Sequence, residues 1–407
     1  MKEAVLSYIS KAVPLAVELE TELTKRPAIS PESDGEGELD KAEFLAQWLA
    51  AKGITALERH DAPDPRAKGG VRPNLVATIP GVDDSKRLWI MSHLDVVPPG
   101  ELSLWQSDPW TVQVQDDRLI GRGVEDNQQG LVSSVIATLA LQSAGIKPAH
   151  TVKLLFVADE EVGSAYGIQW LLKNRSLFQK DDMVLVPDSG NPKGDAIEVA
   201  EKNLLWLRFT TKGKQAHGAR PNQGANAFLA GSALAVALYE ELSRVFGERD
   251  PLFDPDYSTF QPTKKDANVP NVNTIPGEDV FYTDMRVLPR YPLAAVLAEV
   301  DRIKARIEAK YKVSVTYDTL QHVESQPTPA ESPFIQLLAR AITEVYQVET
   351  RTVGIGGGTV AAPLRNQGIA AAVWARLMKN AHQPNEFALI ESILGDAKVM
   401  AILMLGE

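Results

Sequence analysis

No cysteine occurs among the 407 residues, which excludes a disulfide framework, a thiolate nucleophile and a sulfur-ligated metal. That absence fits a reducing compartment. Long apolar runs are missing as well: the most apolar helical stretch, 225–239, is too short and too Ala-rich to span a bilayer. Basic charge is in deficit, with 42 Lys+Arg against 53 Asp+Glu and a formal net charge of -11. Nucleic acid and anionic membranes both want basic surfaces, so neither is expected as a partner. Residues 1–23 mix Lys2, Glu3, Lys11, Glu18 and Glu20 with apolar residues at helical spacing, without the unbroken apolar centre of a signal peptide. The expectation is a cytoplasmic protein of enzyme size. No HExxH helix and no GxSxG elbow is present. The run Gly354-Ile355-Gly356-Gly357-Gly358-Thr359 misses the GxGxxG spacing and has no following Lys, which argues against a phosphate loop.

What is present is ordinary globular material, 44% hydrophobic and 23% charged, long enough for two domains. Apolar runs at 88–91, 152–157 and 183–186 alternate with a helical pattern at 131–143, which predicts βαβ units and a parallel sheet buried on both faces. From about Asn203 the pattern changes to β-α-β-β-α-β, the order of a ferredoxin-like α+β layer. After it come a helix over 333–346, a buried strand over 369–375 and a closing helix over 386–405. The predicted architecture is a discontinuous α/β domain over 1–202 and 321–407, with a mostly parallel sheet, interrupted by a small domain over 203–320.

Ligands of parallel sheets bind beyond the carboxyl ends of the strands. Five metal-binding side chains fall where apolar runs end: His93, Asp126, Glu161, Asp188 and His382. Two imidazoles and three carboxylates, one of them shared, suit two divalent ions of borderline hardness. Each residue alone has a plainer reading: a strand-end His, an N-cap Asp, a dipole-capping Glu, a turn Asp, a structural His. In Ser92-His93-Leu94-Asp95, period-two alternation would put Asp95 on the face of His93, where its carboxylate could accept from the ring nitrogen facing away from a metal. A dipole cap could explain one acid of Asp159-Glu160-Glu161 but not three, because packed like charges repel unless a cation neutralises them. Glu161 would then bind metal and Glu160 would take a proton from water. His60, His150 and His322 lack matching partners and read as surface residues.

HLDVVP, GRGVEDN, DEEVGS, VPDSG and AHQPNE, in this order and spacing, resemble the M20 metallopeptidases across essentially the whole chain. That group contains acetylornithine deacetylases, succinyl-diaminopimelate desuccinylases, aminoacylases, glutamate carboxypeptidases and several dipeptidases and aminopeptidases. The resemblance implies a Zn-peptidase-like catalytic domain whose inserted domain is a dimerisation lid. It implies His93, Asp126 and Asp188 at one metal and His382, Glu161 and Asp126 at the other. Asp95 would orient His93, Glu160 would be the general acid/base, and a cis peptide would follow Asp126. Zinc is the default ion, with cobalt or manganese able to use the same ligands.

In the lid, Gln215-Ala216-His217-Gly218 resembles the motif whose His reaches the partner subunit's active site and polarises the scissile carbonyl. The 271–276 and 284–286 segments resemble those that hold the substrate's polar end, implicating Asn273 and Arg286, the latter as a carboxylate fork. The 354–359 loop would present backbone at Gly357 and the Thr359 side chain. The implied reaction is metal-assisted hydrolysis of an amide in a small N-acylated amino acid. In deacylase and carboxypeptidase branches the Asp188 position usually carries Glu, and in dipeptidase and aminopeptidase branches Asp, which makes short-peptide cleavage the alternative. A non-catalytic metal-dependent binding or scaffold protein is the remote one, since degenerate members lose Glu160 or a ligand and this chain keeps both.

Overall fold

The computed structural model describes residues 2–407. Two compact units are present: Met1–Val199 with Thr328–Thr352 and Pro363–Glu407, and Ala200–Pro327 with Val353–Ala362.

The first unit is mixed α/β. An eight-stranded sheet, most of it in this unit, has the order Leu57–Pro63, Val71–Ile79, His150–Val157, Asp83–His93, Met183–Gly190, Ala370–Ala375, Ala196–Glu201 and Arg351–Ile355. The central four run parallel, and the strands beside them pair antiparallel. The central strands are buried along most of their length, as strands covered on both faces must be. Gln129–Ser143 is buried at every position from Gln129 to Leu141 and packs on Ile390–Leu405, itself buried almost throughout. Its interior hydroxyls are satisfied locally: Ser133 donates to the Gln129 carbonyl at 2.7 Å and Thr138 to that of Ser134 at 2.9 Å. The closing helix starts at Ile390, later than expected. Residues Phe387–Leu389 form a short strand paired with Arg118–Ile120, a contact no local pattern announces.

In the second unit, Thr259–Lys265, Glu278–Val287, Asn203–Lys212 and Ser314–Val323 form an antiparallel sheet in that spatial order. Alternate residues Leu205, Leu207 and Phe209 face the helices Ala227–Val245 and Leu293–Tyr311, meeting Leu234, Leu238, Val300 and Ile303 in one apolar core. The Phe209 and Phe281 rings stack at 4.9 Å. The unit is larger than the 203–320 expected. Residues 353–362 join it because the Gly354 N–H donates to the Leu252 carbonyl at 2.7 Å, and a Cβ at position 354 would come within 2.4 Å of the Phe253 ring.

The helix Val13–Thr24 buries Glu20 completely, and neither carboxylate oxygen has a hydrogen-bond partner among the described residues. Burial, then repulsion from Glu386, pushes its pKa well above the usual carboxylate range, with Lys41 opposing. The native state therefore keeps a proton that the unfolded chain releases, so this residue's contribution to stability is complete at acid pH and declines as the pH rises. Glu20→Met, similar in volume and unable to ionise, should stabilise the protein by about 1–3 kcal/mol near pH 8 and by less near pH 5. Urea melts at the two pH values measure this. A variant no more stable than the parent near pH 8 would mean that the carboxyl is fully satisfied inside the fold.

Candidate metal centre

His93 is the last residue of its strand. Its N–H donates to Asn127 Oδ1 at 3.2 Å, and its ring Nδ1 lies 2.9 Å from the Asp95 main-chain oxygen. That carbonyl accepts the Nδ1 proton and turns Nε2 toward Asp126 Oδ1, at 3.0 Å, and Asp188 Oδ1, at 3.5 Å. The Asp95 carboxylate meets the same ring nitrogen, its Oδ1 lying 3.5 Å from His93 Nδ1. It also accepts the N–H groups of Glu160 at 3.1 Å and Glu161 at 3.0 Å.

Asp126 divides its carboxylate. Oδ1 faces His93 and Oδ2 lies 3.2 Å from His382 Nε2, which is also 3.1 Å from Glu161 Oε2. The Asp126–Asn127 peptide bond is cis. Asn127 has no role in the sequence reading, yet its Nδ2 donates to Asp188 Oδ1 at 2.8 Å and to the Pro187 carbonyl at 2.6 Å while its Oδ1 holds His93. One amide thus ties two strand ends together. Asp188 lies inside the strand Met183–Gly190 rather than past its end.

Two donor groups result, His93–Asp126–Asp188 and Asp126–Glu161–His382, each with one ligand atom per residue and these atoms within 4.8 Å of one another. Neutral imidazole and carboxylate are the donors that zinc, cobalt and manganese accept, and a carboxylate with one oxygen turned to each group can serve both. The residues present fit two divalent ions. His93 is buried, its side chain 2% exposed, whereas the His382 side chain is 53% exposed. His60 and His150 are half-buried beside Glu58 and Asp83, His322 is exposed, and none of the three joins either group.

The 158–166 loop that carries the glutamates is held from behind. Arg72, wholly buried, forks Glu38 through Nε at 2.7 Å and a second contact from Nη2, and lies 3.1 Å from Asp159 Oδ1. Asp159 takes a left-handed turn (φ 68°) and its Oδ2 accepts the Tyr166 N–H at 3.0 Å. Asn74 Oδ1 accepts the Ala158 N–H at 3.0 Å. The Glu160 carboxylate itself has no hydrogen bond or ion pair among the described residues.

The electrostatics follow from crowding acids in a buried place. Burial, then the neighbouring Asp188, raises the Glu160 pKa well above its ordinary value. Burial also raises Glu161 and Asp188, with His382 and His93 respectively opposing. For Asp126 burial would raise the pKa, but hydrogen bonds from His382 and His93 hold it well below the usual range. For His93 burial favours the neutral ring, but Asp188 and Asp126 outweigh it and raise the pKa well above normal. His382, bonded to Asp126 and Glu161, is pushed up to about 10. A cation bound here must displace these imidazole protons, so metal loading releases protons and tightens as the pH rises.

In the second unit, His217 and Asn273 are brought together. Ala216–His217 pairs with Thr274–Ile275, and the Gly218 N–H donates to the Asn273 carbonyl at 2.7 Å. A Cβ at Gly218 would lie 3.0 Å from that oxygen, a tight contact that glycine avoids. His217 is exposed, its Nδ1 accepting from the Ala219 N–H at 3.1 Å. Arg286 has its fork occupied: Nε and Nη2 reach the two oxygens of Asp284 at 2.6 and 2.9 Å, and Nη1 donates to the Gly356 carbonyl at 2.7 Å. Thr359 donates its hydroxyl to Glu201 Oε1 at 2.5 Å and its N–H to Oε2 at 3.0 Å, while Gly357 is half-buried in the same loop.

A sequence model described as Peptidase family M20/M25/M40 matches residues 89–405. An uncharacterised metallohydrolase of Methanocaldococcus jannaschii is 38% identical over 402 residues, covering 94% of this chain and 97% of that protein. Succinyl-diaminopimelate desuccinylase 2 of Shewanella loihica is 30% identical over 282 residues, 69% of this chain and 70% of that protein. Among solved structures, the aminopeptidase PepT of Bacillus cereus shares the fold with a TM-score of 0.74 at 17% identity, covering 100% of this chain and 98% of that one. The chain is a metallohydrolase. It belongs to peptidase family M20/M25/M40. No helix among the described residues is long and apolar enough to cross a membrane.

Proposed function

We propose that this metallohydrolase cleaves the amide bond of a small N-acylated amino acid, using two divalent ions at His93–Asp126–Asp188 and Asp126–Glu161–His382. The observation that carries the reading is the divided carboxylate of Asp126, one oxygen toward each histidine, beside an unpartnered Glu160. Zinc is the ion this donor set favours, with cobalt or manganese as substitutes. Ions held there would acidify water and polarise the scissile carbonyl. Glu160 takes the proton of the attacking water and hands it to the leaving amine nitrogen, a role its raised pKa suits. Asp95 orients the His93 ring and holds the Glu160 and Glu161 backbone in place for both tasks. His217 is assigned to the scissile carbonyl, and Asn273, Arg286, Gly357 and Thr359 to the substrate's polar end, on the strength of their motifs. For Arg286 this requires Asp284 to yield the fork or the remaining N–H groups to serve.

The desuccinylase relative supports the deacylase reading. The second reading is a dipeptidase or aminopeptidase, favoured by the shorter carboxylate Asp188. A hydrolysis screen of metal-loaded protein decides between them, with N-succinyl and N-acetyl amino acids set beside dipeptides with free and blocked amino ends. Turnover of an acyl amino acid that a chelator abolishes is expected. Cleavage of free dipeptides alone would transfer the assignment to the second reading, and no turnover at full metal loading would favour a binding protein.

A homodimer through the second unit is part of the same proposal. The helix Ala227–Val245 leaves Phe228, Leu229, Val236 and Tyr239 exposed, and the strand Thr259–Lys265 is paired on one side only. A monomer mass in sedimentation equilibrium would remove both the dimer and the reach of His217 into a partner.

A further inference from the structure

Two segments carry Asp126 and His382, and each gives a buried carboxylate to the backbone of the other. Glu386 Oε1 accepts the N–H groups of Glu125 at 3.0 Å and Asp126 at 3.1 Å, and its Oε2 takes Arg122 Nη1 at 2.5 Å. In the opposite direction Glu125, 1% exposed, accepts the N–H of Met378 through Oε1 and that of Asn380 through Oε2, the latter at 2.7 Å. Asn380 then closes the turn around His382. Its Oδ1 accepts the Phe387 N–H at 2.5 Å, and its Nδ2 donates to the Phe387 carbonyl at 2.9 Å. His382 sits in this turn with φ 65° and about half of its side chain in solvent. Little packing holds the ring, so the loop backbone must place it.

We propose that Glu125 is a positioning residue for the second metal group: its carboxylate fixes the 378–380 backbone and so sets His382 opposite Asp126 and Glu161. The inference rests on the ligand assignment proposed above. The chemistry explains why a carboxylate stands here. The N–H groups of Met378 and Asn380, with that of Ala381 beside them, converge on one side chain, and a carboxylate offers an acceptor oxygen to each side and a charge that strengthens these bonds. An amide at the same place would accept one N–H and turn its own NH2 against the other. The residue beside it cannot share the task, because Asp126 has both oxygens turned to the histidines.

Zinc titration of metal-free protein against a chromophoric chelator tests this. Glu125→Gln should weaken one of two bound ions by about 10–100-fold, the scale of lost outer-shell support, and leave the other within about threefold. Glu125→Asp, too short to reach both N–H groups, should act in the same direction and carries the test if the glutamine variant does not fold. Unchanged affinities, or an equal loss of both ions with a lowered melting temperature, would overturn the inference, the second outcome marking a purely structural residue. His382→Ala separates this failure from that of the ligand assignment. It should remove the ion that Glu125→Gln weakens. If His382→Ala leaves both ions tightly bound the assignment is wrong, and if it removes one while Glu125→Gln changes neither, only the role of Glu125 is wrong.

Discussion

Glu160→Ala should lower kcat by about 10²–10⁴-fold, roughly 3–5 kcal/mol of transition-state stabilisation, while leaving metal content unchanged. The separation of the two effects is what makes the variant informative. The Glu160 side chain belongs to neither donor group and has no partner among the described residues, so its removal breaks no contact that shapes the site. Its backbone is fixed independently, by the N–H bonds of Glu160 and Glu161 to Asp95, and those survive the substitution. Burial and the charge of Asp188 raise the carboxyl well above its ordinary pKa, and bound cations would lower it again. The acid limb of kcat/KM should therefore report this residue, rising with pH as Glu160 loses its proton, and should be missing from the residual activity of the variant. Stopped-flow or steady-state rates beside metal analysis measure both. Activity within about threefold of the parent would transfer the base role elsewhere, and loss of an ion would make Glu160 a ligand rather than a base.

Asp126→Ala should cost both ions, whereas Asp188→Ala should cost one. Asp126 is the single residue common to the two donor groups, with one oxygen 3.0 Å from His93 and the other 3.2 Å from His382. Removing it leaves each group with two protein donors, and the loss of affinity should exceed the roughly 10–100-fold typical of outer-shell changes at both sites. Asp188 touches only the His93 side, so its loss should spare the ion at Glu161 and His382. Metal analysis after gel filtration, repeated near neutral and alkaline pH, gives the stoichiometry. Two ions retained by Asp126→Ala would end the proposal of a shared carboxylate. In metal-free protein the same substitution removes a partner that helps raise the His382 pKa to about 10. That interaction stabilises the fold below the ordinary imidazole pKa and is lost as the pH rises through about 10, so the variant's deficit in stability should shrink at alkaline pH.

Much of this site could be read without coordinates because parallel-sheet chemistry collects at strand ends. His93, the 159–161 acids, Asp188 and His382 were visible as ligand-type residues where apolar runs stop, and the two donor groups join the residues that the motif order had paired. The residues that hold them were not visible. Asn127, Arg72, Glu38, Glu125 and Glu386 look like ordinary polar residues in the sequence, and their meaning lies in contacts such as Glu125 with Met378, 253 positions apart, or Glu386 with Glu125, 261 apart. Asp95 shows the same limit at short range. Alternation put its carboxylate beside the imidazole, where it lies at 3.5 Å, but showed neither its main-chain oxygen on Nδ1 nor its bonds to the Glu160 and Glu161 N–H groups.

The sequence by itself determined the inventory: no thiol chemistry, an acid-rich chain, apolar strands followed by acids and imidazoles, and the α/β pattern that gathers them. Those are properties of residue type and spacing, which period and composition express directly. Tertiary structure alone decided which oxygen faces which nitrogen, which acids are buried without a partner, and how two remote loops brace one another. These depend on the desolvation and directional hydrogen bonding of groups that become neighbours only when the chain closes on itself.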